Sequence, residues 1–86
     1  MSKQIYTPVD ELTSLQYQIM VFVDWWVRNK KIPVPQKEII KEMEKKKIKS
    51  STTWYAISQI LHKGYIRRAL TFNNRTSYVQ LRNIEI

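Results

Sequence analysis

The side chains that could do chemistry in this chain crowd into one stretch. Lys47 and Lys49 lead into a run of four short hydroxyls, Ser50, Ser51, Thr52 and Thr53, and Tyr55, Gln59 and Lys63 then recur one helical turn apart. Arg75 lies in the next polar segment. These groups donate and accept hydrogen bonds and attract anions. Bond-making chemistry needs more: a nucleophile beside a base, paired carboxylates, a thiolate cluster, or a glycine loop around phosphate. With one histidine (His62), one glycine (Gly64) and no cysteine, none of these is expected. The stretch predicts recognition without catalysis, and with no metal, no cofactor and no small-molecule substrate.

Charge points to the class of partner. Residues 1–44 balance six cations against six acids, whereas residues 45–86 carry nine of the 15 lysines and arginines against Glu85 alone, so the net charge of +8 belongs to the second half. One-sided charge repels itself unless a polyanion meets it, and the phosphate backbone of nucleic acid is the commonest such partner. A solubilising basic surface is the plainer alternative.

The elements that must position these residues follow from local pattern. Thr13-Ser14-Leu15-Gln16 has the form of a capping box that opens a first helix. Leu15, Ile19, Phe22, Val23 and Trp26 recur at helical spacing as its buried stripe, and Asn29-Lys30-Lys31 ends it. Ile32-Pro33-Val34-Pro35 must be extended, as a short linker or strand, because each proline disfavours helix in the residue before it. A second helix is expected over about residues 36–46, with Ile39, Ile40 and Met43 inward. After the basic turn 45–49, a third runs from about residue 51 to 63, capped by Ser50 or Ser51 and stopped at Gly64. Its inward face is Ile57, Ile60 and Leu61 with Thr53 or Trp54, which leaves Ser51, Thr52, Tyr55, Ser58, Gln59 and His62 outward. Residues 65–70 and 77–81 are rich in β-formers around a polar turn and predict a hairpin, with Arg67 and Arg68 also readable as ordinary strand-edge charges.

The expectation is an α+β fold of three helices followed by a two-stranded β-hairpin, the order of a winged helix-turn-helix with the hairpin as wing. At 86 residues this is one domain, residues 1–11 forming an N-terminal arm and 12–82 the core fold. The chain resembles the amino-terminal DNA-binding domain of LexA-type repressors over roughly residues 12–81. The likeness rests on Leu12-Thr13 with Gln16, Ile19 and Phe22, Pro33-Val34-Pro35, Glu38-Ile39, Ser50, Lys63-Gly64-Tyr65-Ile66 and Arg75. It implies the winged fold and operator binding through the third helix, at Ser50, Ser51, Thr52, Tyr55 and Gln59. The turn before that helix is longer and more basic than the family pattern and lacks its glycine.

Sequence-specific binding of double-stranded DNA by a small transcriptional regulator is therefore the expected function, with Lys47, Lys49, Lys63 and Arg75 flanking the contact face. The rival is an accessory subunit of a phage or mobile-element replication complex that binds a partner protein and DNA, single-stranded DNA included. Its support is the first helix, where Tyr17, Met20, Val21, Trp25 and Val27 fall outside the stripe that the core requires, together with the aromatics among the basic residues, Trp54, Tyr55, Tyr65, Phe72 and Tyr78, which suit stacking on unpaired bases. A homodimer through the same helix would serve a repressor equally well. No apolar run reaches transmembrane length, so no membrane partner is expected, and the absence of cysteine fits a reducing, cytoplasmic setting.

Overall fold

A computed structural model describes residues 12–69 and 76–84. Three helices and a three-stranded antiparallel sheet follow in the order α1 (Ser14–Lys30), β1 (Val34–Pro35), α2 (Gln36–Lys45), α3 (Ser50–His62), β2 (Ile66–Ala69) and β3 (Ser77–Gln80). The fold is α+β. Among the described residues no helix is long and apolar enough to cross a membrane.

Each helix end has a local cause. Thr13 caps α1, its hydroxyl accepting the Gln16 N–H while the Gln16 side chain accepts the Thr13 N–H, which closes the capping box. Two backbone bonds close α3 around Gly64 at φ +81, Gly64 N–H to the Leu61 carbonyl and Tyr65 N–H to the Ile60 carbonyl. The end of α2 repeats that pattern: Lys47 N–H meets the Glu44 carbonyl and Ile48 N–H the Met43 carbonyl. Here, however, the left-handed position is held by Lys47 at φ +65. A residue with a Cβ is strained there, so the turn before α3 is closed at a cost that glycine would avoid.

The sheet corrects the expected two-stranded hairpin. Its order is β1-β3-β2, with Val34 paired to Tyr78 and Pro35 to Ser77. The segment between α1 and α2 is thus a strand, and the Gln36 N–H extends the ladder by donating to the Thr76 carbonyl at 2.9 Å. That bond gives the first N–H of α2 a partner, although Pro35 offers no side-chain cap. The connection between β2 and β3, with Arg75, lies outside the described residues.

The core corrects the stripe assigned to the first helix. The face of α1 that is wholly buried is Gln16, Ile19, Met20 and Val23, with Asp24 beside them, while Leu15, Phe22 and Trp26 are only half-buried. Met20, expected on an outer interface, is 0% exposed. Val27, expected there too, packs against the core. The helix is rotated because two polar side chains on the buried side find partners: Gln16 on α3, and Asp24, which accepts from Gln80 Nε2 at 3.2 Å and pairs with Arg28 at 2.8 Å. Ile39 and Met43 from α2, Thr53, Ala56, Ile57 and Ile60 from α3, and Val34, Ile66 and Tyr78 from the sheet complete the interior.

Candidate nucleic-acid interface

The axis of the candidate site is α3. It buries Thr53, Ala56, Ile57 and Ile60 along one side, and successive residues are about 100° apart around the axis. Ser51, Tyr55, Ser58 and His62 therefore lie opposite the core, and all four are exposed, Tyr55 by 67%. Ser50 and Thr52 are exposed at the amino end. Neither Ser50 nor Ser51 caps the helix. The N-cap is Lys49, which has no side-chain bond to offer, and Ser50 is the first helical residue. The amino end of α3 thus lacks a side-chain cap and is followed by three exposed hydroxyls, which suits an incoming anion. Lys47 and Lys49, both exposed, stand at that end.

Two residues expected to reach outward are engaged inside the fold instead. Gln59 is half-buried and its Oε1 accepts from Gln16 Nε2 at 2.6 Å, while its own Nε2 donates to the Tyr55 hydroxyl at 3.1 Å. Lys63 donates from Nζ to Gln16 Oε1 at 2.7 Å. Both sit on the flank of α3 that meets the start of α1, where the 2% exposed Gln16 presents an amide to each. The chain Lys63–Gln16–Gln59–Tyr55 fixes the phenol from behind. Gln59 and Lys63 act as positioning groups for Tyr55, a role that their outward spacing on the helix did not reveal.

The opposite flank of α3 holds Trp54, which the sequence offers both as an alternative to Thr53 on the inward face and as an aromatic suited to stacking; Thr53 is the buried one of the two. Trp54 is 55% exposed and borders two adjoining clefts. One, of about 300 Å³, is lined by Pro35, Gln36, Lys37, Ile40 and Thr76. The other, of about 140 Å³, reaches Ser58, Arg68 and Tyr78. Arg68 lies directly across the ladder from Tyr78, and residues two apart on a strand share a face, so Arg68 joins the buried Ile66 on the side of the sheet that meets the helices. Arg67 faces the other way. The Tyr78 hydroxyl donates to Gln36 Oε1 at 2.7 Å, and burial pushes the phenol above its ordinary pKa, with the neighbouring Arg68 charge partly opposing the shift. The signal in the sequence is Trp54 and Tyr78 among the basic residues of the second half; that Arg68 and Lys37 join them is fixed by the fold.

The apolar strip on α1 is narrower than its composition suggested. Tyr17, Val21 and Trp25 stand four residues apart on one line, Tyr17 and Trp25 exposed and Val21 half-exposed. Phe22 stacks against Trp25 with ring centroids 6.1 Å apart, and the two line a shallow cleft with Glu42 and Lys46. Among the described residues no group of histidines and carboxylates could hold a metal ion. Compared with known proteins, the chain matches no family model, no curated protein and no solved structure.

Proposed function

We propose that the protein binds double-stranded DNA in a sequence-selective manner, as a small transcriptional regulator of the winged-helix kind, with α3 entering the major groove. The observation that carries this reading is the exposed line Ser51–Tyr55–Ser58–His62 on a helix whose amino end lacks a side-chain cap and is led into by the exposed Lys47 and Lys49. The order helix, strand, two helices and two strands supports the winged-helix reading, with α2 and α3 as the helix-turn-helix. Hydroxyls and the helix end suit phosphate, and Tyr55 and Ser58 suit base edges or sugar.

Selection of duplexes from a random pool, followed by titration of a selected site at several salt concentrations, tests the reading. A selected duplex should bind at least about a thousandfold more tightly than bulk DNA. Equal binding of all duplexes, or none, would exclude it. Lys47→Gly gives the more diagnostic result because it separates two properties. Relief of the left-handed strain should raise stability by roughly 1 kcal/mol, while loss of a phosphate contact should weaken all duplexes alike and lower the salt slope by about 1. A variant that is more stable and binds DNA unchanged would remove Lys47 from the interface.

A second reading rests on the Tyr17–Val21–Trp25 strip. Self-association or an accessory role beside another protein would cover it, and a regulator with a two-fold site needs such a dimer. Trp25→Glu should then shift the sedimentation equilibrium from dimer toward monomer, or abolish capture of the partner, without unfolding the chain. Monomeric behaviour of both proteins with every partner retained would refute it.

A further inference from the structure

Trp54 is not accounted for by the contact line on α3. It sits about 70° around the helix from the middle of that line, over the sheet, with 55% of its surface exposed. What surrounds it is selective. Among the described residues no carboxylate lines either cleft, while Lys37 lines one and Arg68 the other. The rest of the lining mixes apolar and neutral polar groups, Pro35 and Ile40 in the larger cleft, Ile57, Leu61, Ser58 and Tyr78 in the smaller, and Gln36 and Thr76 in both. Ser58 and Gln36 supply hydrogen-bonding groups in the lining of the smaller cleft. The larger cleft opens at the amino end of α2, the helix whose first N–H is already taken by Thr76. An aromatic ring bordered by cations and short polar groups matches a planar heterocycle carrying a phosphodiester on each side: an apolar ligand would not call for Lys37 and Arg68, and a bare anion would not call for the indole.

We infer that Trp54 is a stacking platform for one unpaired nucleobase, seated between α3 and the sheet, with Lys37 and Arg68 holding the phosphates on either side of it. The site takes DNA in which a base has left the duplex, whether as a bulge, a junction or a single strand. It shares with the proposed function only the premise that the ligand is DNA. The small volume beside Ser58 and Tyr78 admits the edge of a single ring and no second stacked pair, so the platform adds one base to whatever α3 contacts.

The experiment uses the full chain and fluorescein-labelled DNA read by anisotropy at one salt concentration. Three probes are compared: a fully paired duplex, the same duplex with one unpaired thymidine at its centre, and a short oligothymidylate. Wild-type protein should bind the bulged duplex about tenfold more tightly than the paired one, the scale of a single base–aromatic stack. Trp54→Ala should erase that preference and weaken oligothymidylate binding by a similar factor, while leaving affinity for the paired duplex within about twofold. Trp54→Phe, which keeps a ring and the fold, should retain most of the preference. A preference that is absent from the wild type, or that survives Trp54→Ala, overturns the platform. Failure of the paired duplex to bind at any sequence, with a Trp54-dependent gain for the bulge, would sink the duplex reading and sustain the platform; selective duplex binding with no gain for the bulge would do the reverse.

Discussion

Ile60→Ala should lower the free energy of unfolding by about 2–5 kcal/mol, the range for truncating a buried isoleucine. Ile60 has no exposed surface, and its carbonyl also accepts the Tyr65 N–H that closes α3. The side chain belongs to the fully buried core, and the backbone at Ile60 is held by the turn at Gly64, so the cavity has little freedom to collapse. A chain of 86 residues holds only some 5–10 kcal/mol in reserve. The loss would therefore remove a large share of its stability. Urea denaturation should show a much lower midpoint with an unchanged slope. The half-buried Leu61, one residue on, is the control: Leu61→Ala should cost clearly less. Equal costs at the two positions would mean that the packing of α3 has been misassigned.

Gln16→Leu should cost about 1–3 kcal/mol, because several hydrogen bonds to a buried side chain are lost at once. The Lys63 ammonium, the Gln59 amide oxygen and the Thr13 N–H all bond to the Gln16 side chain, and leucine can meet none of them. Gln16→Glu separates the contributions. A carboxylate still accepts from Lys63 and Thr13 but cannot donate to Gln59, so its cost should fall between wild type and leucine. The functional readout differs from the stability readout: with Gln59 unanchored the Tyr55 phenol loses its fixed position, and discrimination between selected and bulk DNA should fall by more than affinity for bulk DNA. Equal stability of the leucine variant and wild type would show that the network contributes nothing.

How legible the molecule was depends on the range of each determining contact. The capping box at Thr13 and Gln16 and the stop at Gly64 are set by neighbours within one turn, and the sequence displays them directly, whereas the N-cap of α3 is Lys49 and not the expected Ser50 or Ser51, and α2 begins with a bond to the distant Thr76. The strand β1 is two residues long, contains a proline, and is made a strand only by Tyr78 and Ser77, more than 40 positions away. Local pattern left it as either linker or strand. The rotation of α1 escaped notice for a related reason. Polar Gln16 and Asp24 lie outside the expected apolar stripe, yet each is buried against a partner on another element, which turns Met20 inward and leaves Leu15 half-exposed. Gln59 and Lys63 share a flank with Gln16 that helical spacing alone assigns to solvent. The turn without a glycine was legible as a departure; that Lys47 adopts the left-handed conformation in glycine's place was not.

The two rims of the sheet have a consequence for how copies of this chain can meet. One rim is β1, which ends after two residues and includes Pro35, a residue with no N–H to offer a foreign strand. The other is β2, where the exposed Arg67 and Arg68 would confront the same pair on any second molecule that approached edge to edge. Growth of the sheet into a fibre is thus obstructed at both margins, and a dilute basic protein of this design can pass through partly opened states with little danger of templating its own precipitation.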